Sequence, residues 1–524
     1  MPLEAVNGLA RPWWRGAVFY EIYIRSFADS NDDGIGDLSG ITSRLEYLKR
    51  LGVDAIWITP FYPSPQKDHG YDIADYFDVN PEYGTLDDFD TLVARAHELR
   101  LKVLVDLVPN HTSDQHPWFQ AALSAPDEPH RGRYYLIDGK SDGSPPNNWK
   151  SAFGGPAWKK DEASGKWYLH LFAPEQPDLN WWNRAVPKEF ERIIKFWLDR
   201  GADGYRIDVA SALFKRKDLA DQTMIKDPVT GLPKPDHSFA IIDQPQVHDV
   251  YRAWRRILNG YQPPRVLVGE IFEPRRQSRY ILPDQLDMAF ALVRAPWNSS
   301  LWQRSIEVDL RAAPGPVAVP SWTQSNHDVV RHATRLGGGF MGRARARAAL
   351  LLLMGLPGQV FLYQGEELGL EEAEVPPDQR QDPMYFHSGG KQVGRDGCRV
   401  PLPWHMGQPN AGFSKADPWL PVPADWDRLA VDVQTGSPGS MLSFYQRLLA
   451  LRRPLGRTLP NRLKWNPAPE GVLIYERGRL TVAVKLSRPP SGACAARPPA
   501  DWQPAARQAP TRPADPGGEL GCVA

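Results

Sequence analysis

The chain has 524 residues, room for one large domain with satellites or for two to three domains. Lys+Arg and Asp+Glu number 62 each, so the formal net charge is zero and the footprint of a nucleic-acid or anionic-membrane partner is absent. Cys398, Cys494 and Cys522 are too few and too scattered for a disulfide framework or a zinc site, and no apolar run has the length of a signal-peptide core or a membrane span, which predicts a cytoplasmic protein with a neutral small-molecule partner, monomeric or a small homo-oligomer.

Residues 17–24 are rich in β-branched and aromatic side chains and predict a strand. A polar loop follows, in which Asp29, Asn31 and Asp33 place oxygen side chains at alternate positions, Gly34 allows a sharp turn and Ile35 offers its carbonyl. This is the first part of the EF-hand ligand pattern and favours a hard cation. It is not an EF-hand, because a strand precedes the loop and Gly40 stands where the bidentate glutamate belongs. Helix and strand then alternate: helix 38–51, strand 55–60, helix 86–100, strand 102–109. Residues 112–183 break the pattern with Trp, Pro, Gly and Asn over a stretch too long for a plain loop, and read as an inserted domain. Alternation resumes with helix 188–199, strand 204–209, helix 247–259, strands 266–270, 286–292 and 321–323, helix 343–354 and strand 359–363.

About eight such units predict an α/β fold, a (β/α)8 barrel made of residues 1–111 and 184–455 with an insertion after its third strand. Short strands at 471–475 and 480–484 predict a small, incomplete antiparallel β domain over 456–488. Residues 489–524 are dominated by Pro, Ala, Arg and Gly, cannot bury enough apolar surface to fold, and are predicted to be disordered.

Arg206 and Asp208 are two residues apart on a predicted strand and so share a face. Taking the C-terminal strand ends in order adds Asp106, Asn110 and His111 before them, then Glu270, then Asn326, His327 and Asp328. There is no Ser or Cys nucleophile motif, no phosphate loop and no dinucleotide fingerprint, which leaves carboxylate chemistry of the kind used in glycoside hydrolysis.

Residues 106–111, 204–208, 269–270 and 325–328 resemble, in order, the four signature regions of the α-amylase family of glycoside hydrolases, glycoside hydrolase family 13. Residues 176–180, Gln-Pro-Asp-Leu-Asn, resemble the extra motif of its α-glucosidase and oligo-1,6-glucosidase branch. The resemblance covers residues 11–487. It implies Asp208 as nucleophile, Glu270 as general acid/base and Asp328 as the carboxylate that fixes sugar hydroxyls. Arg206 would orient Asp208, His111 and His327 would hold hydroxyls, Tyr71 would stack on the sugar, Asp68 and Arg399 would close the pocket, and Phe153 would pack on the bound sugar from the insertion. It also implies a structural calcium ion, with magnesium as the alternative, on Asp29, Asn31, Asp33, the Ile35 carbonyl and Asp37.

The mechanism implied is retaining, with Glu270 holding a proton in the free enzyme, favoured by a negative Asp208 nearby. The activity implied is an exo-acting α-glucosidase releasing α-glucose from maltose, sucrose and malto-oligosaccharides, with transglucosylation. Val209 after the nucleophile fits tolerance of α-1,6 bonds, whereas the runs from Asp243 and at 394–401 look closer to enzymes of α-1,4 bonds and sucrose, the reading favoured here. An oligo-1,6-glucosidase and a glucosyltransferase or isomerase remain the alternatives, with a non-catalytic partner protein as the remote one.

Overall fold

The computed structural model describes residues 12–124, 130–226, 233–235, 240–271, 274–313, 319–486 and 520–523. Eight strands form its centre: β1 (Val18–Ile22), β2 (Ala55–Ile58), β3 (Lys102–Leu107), β4 (Gly204–Ile207), β5 (Val266–Gly269), β6 (Met288–Leu292), β7 (Ser321–Thr323) and β8 (Gln359–Tyr363). All pair in parallel, and β1 bonds to both β2 and β8, which closes the sheet into a barrel. Closure leaves no unpaired strand edge.

The interior is filled by side chains. Phe19 stacks on Phe361 with ring centroids 4.4 Å apart, and Trp57, Leu104, Val266 and Met288 pack around them. Gly204 opens β4 for a steric reason: a Cβ there would lie 2.2 Å from the Val266 carbonyl oxygen.

The outer layer comprises α1 (Leu38–Leu51), α2 (Leu86–Glu98), α3 (Ala185–Asp199), α4 (Val247–Leu258), α5 (Ser299–Ala312), α6 (Gly339–Gly355) and α7 (Met441–Thr458). Their starts are chemically marked. Asp37 caps α1 by accepting from Gly40 N, Thr85 and Asp88 form a reciprocal capping box on α2, and Asn298 and Ser440 cap α5 and α7. Between β5 and β6 the described backbone has a 3-10 turn, Pro274–Arg279, in place of a long helix. Helices α5 and α7 were not anticipated from the sequence.

The insertion holds a three-stranded antiparallel sheet of Leu136–Ile137, Trp158–Lys160 and Trp167–Leu169. Its core of Tyr135, Trp149, Trp158, Leu169 and Leu171 includes Val209 and Ala212 from the barrel, so the insertion packs directly behind the end of β4. Beyond the barrel, β9 (Lys464–Asn466), β10 (Val472–Arg477) and β11 (Leu480–Lys485) form an antiparallel sheet anchored on α6 by Tyr475, whose hydroxyl donates to Leu352 O at 2.7 Å.

A fourth strand, β12 (Leu520–Val523), pairs in parallel with β11. The expectation of disorder over 489–524 therefore does not extend to these four residues: the open edge of β11 offers unpaired backbone groups that a passing strand satisfies. The remainder of that stretch lies outside the described residues. Among the described residues no helix is long and apolar enough to cross a membrane.

Candidate active site

The strand that ends in Ile207 was expected to continue through Val209. It stops because Val209 adopts φ +46°, an outlier for a β-branched residue. Asp208 thus sits just past the strand, its N–H still donating to Leu107 O at 2.9 Å, and its side chain turns back onto Arg206. The strained turn has a second effect. Val209 N donates to Glu270 Oε2 at 3.2 Å, which holds the carboxyl group at the end of β5 against the residue that follows Asp208.

Arg206 is the hub. Its Nη1 lies 2.8 Å from Asp208 Oδ1 and 3.1 Å from Asp106 Oδ2, and its Nη2 lies 2.9 Å from Glu270 Oε2. Its guanidinium carbon sits 4.9 Å from the centroid of the Trp57 ring, whose Nε1 donates to Asp106. Three carboxylates thus face one buried cation, and Asp106 also accepts from the Tyr71 hydroxyl at 3.1 Å.

Burial pushes Asp208 well above the usual carboxylate range, and the charges of Glu270, Asp106 and Asp328 add to the push while Arg206 opposes it. Burial likewise takes Asp106 up to about 6 against the pull of Arg206. Asp208 is 7% exposed. Burial is the common cause, and at Asp208 the neighbouring carboxylates add to it.

Asp328 has the opposite environment. Burial alone would raise it, but His327, Arg395 and Arg399 outweigh burial and hold its carboxyl well below the usual range. Arg395 Nη1 lies 2.9 Å and Arg399 Nη2 3.1 Å from Asp328 Oδ1. His327 is fixed by Glu21, whose Oε1 is 2.6 Å from Nδ1, and it stacks on Tyr71 at 5.2 Å. Burial takes His111 down to about 4, so it is neutral at pH 7; Gln176 Nε2 reaches its Nε2 at 3.2 Å and also donates to Asp68 Oδ2 at 3.1 Å.

Asp208, Glu270, Asp328, Asp68, Tyr71, His111, Phe153 and His327 all line one cavity of about 480 Å³ at the C-terminal mouth of the barrel. Arg206 and Arg399 do not line it; they stand behind the wall and hold the carboxylates that do. The closing contact differs from the expectation. The arginine on Asp68 is Arg395, at 2.7 Å, and the same guanidinium grips Asp382 and Asp328, while Arg399 binds Asp328 and the His327 carbonyl. Arg395, Asp382 and Phe172 were missed. Arg395 stood in the run used only to compare linkage preference, and Asp382 had no local signal because its role is set by that partner.

The Asp29 loop is described in full. Asp29 accepts from the backbone N–H of Asn31, Asp32 and Gly34, Asp33 accepts from Ile35 N and Asn31 Nδ2, and Lys415 Nζ lies 2.6 Å from Asp32. Asp37 differs from the others, since its oxygens are taken by Ser30 and by Gly40 N at the start of α1. Among the described residues no three His, Cys, Asp or Glu side chains gather closely enough to hold a metal ion. The donor chemistry nevertheless fits a hard cation, because the carboxylates of Asp29 and Asp33 retain acceptor positions beyond these bonds.

With this geometry the comparisons with known proteins agree. The family model described as alpha amylase, catalytic domain, matches residues 21–458. A probable alpha-glucosidase of Rhizobium meliloti (strain 1021) is 43% identical over 470 residues, 86% of this chain and 85% of the relative. An oligo-1,6-glucosidase of Parageobacillus thermoglucosidasius is 36% identical over 85% of this chain and 84% of its own length. Among solved structures, the alpha-glucosyl transfer enzyme XgtA superposes with a TM-score of 0.84 at 39% identity, covering 89% of each chain. A closed parallel barrel with its carboxylates gathered on one arginine at the mouth, and a family model spanning nearly all of that barrel, make this chain a member of the α-amylase family of glycoside hydrolases.

Proposed function

We propose that the protein is a retaining, exo-acting α-glucosidase that releases α-glucose from the non-reducing end of maltose, sucrose and short malto-oligosaccharides. The observation that carries this reading is the pairing of Asp208 and Glu270 on adjacent nitrogens of one guanidinium, at 2.8 and 2.9 Å. Such a shared fork supports the short carboxylate separation of retaining enzymes, about 5–5.5 Å against about 6.5–9.5 Å for inverting ones.

The chemistry follows from the residues. A carboxylate oxygen of Asp208 attacks the anomeric carbon as the glycosidic C–O bond breaks, and Glu270 passes its proton to the departing oxygen. Glu270 then takes a proton from water, which attacks the same carbon, breaks the glucosyl ester and restores Asp208, so the second inversion returns the α configuration. For the first step the cluster's proton has to lie on Glu270 and the negative charge on Asp208, and Arg206 touches both. Asp328, held ionised by two arginines, is suited to accept hydrogen bonds from two sugar hydroxyls. Exo-action is supported by the bridge from Asp68 through Arg395 to Asp328, which closes one end of the cavity.

Transglucosylation belongs to the same reading, with a second sugar replacing water in the second step; the likeness to a solved glucosyl transfer enzyme supports it. A structural calcium ion is also part of the proposal; when bound it would be held by Asp29, Asn31, Asp33 and the Ile35 carbonyl and would brace the loop between β1 and α1. A cytoplasmic location is supported by the free, buried thiol of Cys398.

The test is glucose release from maltose, isomaltose, sucrose and trehalose by the parent and by Asp208→Asn, with the anomer followed by NMR. Release from maltose or sucrose, lost in the variant and giving α-glucose first, is expected. Preference for isomaltose would move the protein to the oligo-1,6 reading, and β-glucose as first product would refute retention.

A further inference from the structure

Phe19 of β1 points into the barrel, where it stacks on Phe361. Two residues on, the same inward face of β1 carries Glu21, a carboxyl group only 2% exposed. Its neighbours in register are Trp57 on β2 and Tyr363 on β8. A carboxyl group in such a place is costly unless it is bonded. His327 engages it twice: Glu21 Oε1 lies 2.6 Å from Nδ1 and accepts from the His327 N–H at 3.3 Å.

The protons around this contact can be counted. Asp328, held ionised by Arg395 and Arg399, has none to give, and its Oδ2 lies 3.3 Å from His327 Nε2. A bare ring nitrogen would be repelled by a carboxylate oxygen at that distance, so Nε2 carries a hydrogen. One proton is left for the contact between Nδ1 and Glu21. On the ring it makes an imidazolium beside an ionised carboxylate; on Glu21 it leaves both groups neutral. The surroundings favour the second arrangement. Burial pushes Glu21 well above the usual carboxylate range, with Arg206 opposing and Asp328 and Asp106 adding to the push. Arg206 is already shared by three other carboxylates. Burial holds His327 well below the usual imidazole range, against the pull of Asp328 and with Arg399, Arg206 and Arg395 on the side of burial. The ring is packed as well as bonded, stacking on Tyr71 at 5.2 Å and on Tyr23 at 5.7 Å, with Trp57 edge-on at 6.0 Å.

Resting on the α-glucosidase reading above, we infer that Glu21 is a positioning residue that acts through His327: its carboxylic proton, donated to Nδ1, fixes the imidazole as the neutral Nε2–H tautomer, and that N–H is given to the sugar hydroxyl whose own proton goes to Asp328. One hydroxyl is then gripped by a fixed donor and a fixed acceptor, both on the wall of the catalytic cavity. Without the Glu21 proton the ring is free to carry its hydrogen on Nδ1. A bare Nε2 then stands beside Asp328, and two acceptors compete for one hydroxyl proton.

The first arm of the test reads the proton directly. In protein with isotope-labelled histidine, the ring-nitrogen NMR signals of His327 are those missing from His327→Asn. They are expected to show Nε2 protonated and Nδ1 bare at neutral pH. Two protonated nitrogens would mean an ionised Glu21 beside an imidazolium, and a proton on Nδ1 alone would mean a Glu21 that accepts; either result overturns the inference. The second arm compares two variants. Glu21→Gln keeps an N–H donor for Nδ1, so the tautomer should persist and kcat/KM for p-nitrophenyl α-glucoside should stay within about threefold of the parent. Glu21→Met keeps the volume without the donor, and should lose the single tautomer and lower kcat/KM about tenfold or more. Equal losses in both variants would show an effect of packing or charge, and an undiminished Glu21→Met would show that the donor is dispensable; each overturns the inference. If the parent cleaves no glucoside, the glucosidase reading fails by itself. The ring signals of the parent and of Glu21→Met then still decide whether Glu21 sets the tautomer.

Discussion

The two ends of β4 carry the same kinds of side chain in opposite proportion. At the bottom of the barrel Asp203, one residue before the strand, is fully buried and meets two cations, Arg265 at 2.6 Å and Lys102 at 2.9 Å, and the His97 imidazole at 2.6 Å, with Val103 N donating to it as well. At the top, one residue after the strand, Asp208 shares a single Arg206 with Asp106 and Glu270. The bottom is a bolt, with one carboxylate satisfied on every side. The top has more carboxylates than cations to pair them. Barrels place stability at the first face and chemistry at the second, and the difference in charge count is how this chain does so. An excess of carboxylates costs stability and leaves a proton to be moved.

The comparison breaks most visibly at the top. Asp208→Asn should lower kcat on maltose by about 10⁴-fold or more, because it removes the attacking oxygen. Its melting temperature should equal or exceed that of the parent, because one of three competing carboxylates has become neutral. A variant that loses both activity and several degrees of stability would show that Asp208 is part of the scaffold. The bottom should answer in reverse. Asp203→Asn leaves two cations and an imidazole around an uncharged amide, and breaking such a buried pair costs about 3–5 kcal/mol. Denaturant titration should show that loss, with kcat/KM of the remaining folded enzyme within a few-fold of the parent. A large drop in kcat/KM at unchanged stability would refute the division of labour.

How far the sequence revealed this contrast depends on distance along the chain. The Arg206 and Asp208 pair was legible because alternate positions beside Gly204 have few other readings, and the four strand-end segments could be aligned with barrel mouths. The clasp at the closed end was not. Arg395 joins Asp382, Asp328 and Asp68 across 13, 67 and 327 residues, and no local pattern announces three such partners. Helix α5 escaped because Asp309 interrupts its apolar stripe, and α7 because it runs through Pro454, which ordinarily ends a helix. The strand at Gly204 was drawn two residues too long because nothing in Asp208-Val209 marks a left-handed turn; β-branched valine argues against one.

The pH dependence of stability sharpens the same comparison. Burial opposes ionisation of Asp203, but its His97 and Lys102 partners win and lower its pKa. A lowered folded pKa contributes stability above the unfolded value, about 3.9, and loses it as pH falls through the folded one. Asp106 is raised to about 6, so its contribution is present below about 3.9 and is lost as pH rises through about 6. The gap in Tm between the parent and Asp203→Asn should therefore widen from acid towards neutral pH. For Asp106→Asn the advantage of the parent should shrink over the same range. Parallel curves would mean that the two ends are not electrostatically different.

The smallest expected effect concerns the Asp29 loop, which repeats the imbalance of the top without its chemistry. Asp29, Asp32, Asp33 and Asp37 lie within nine residues, and among the described residues the cation paired with one of them is Lys415, on Asp32. Where the active site resolves its excess with a proton, an exposed loop of oxygen donors can do so with a metal ion. A ligand that binds only the folded state stabilises by about 2.7 kcal/mol at a hundred times its Kd, which for a chain of this size is a shift of a few degrees or less. Adding EGTA should lower Tm by about 1–5 °C, calcium should restore it, and magnesium should do so less well. Asp33→Ala should melt at the lower temperature and ignore both reagents. A parent indifferent to EGTA and calcium would mean that the backbone N–H groups already turned onto Asp29 and Asp33 satisfy the loop by themselves.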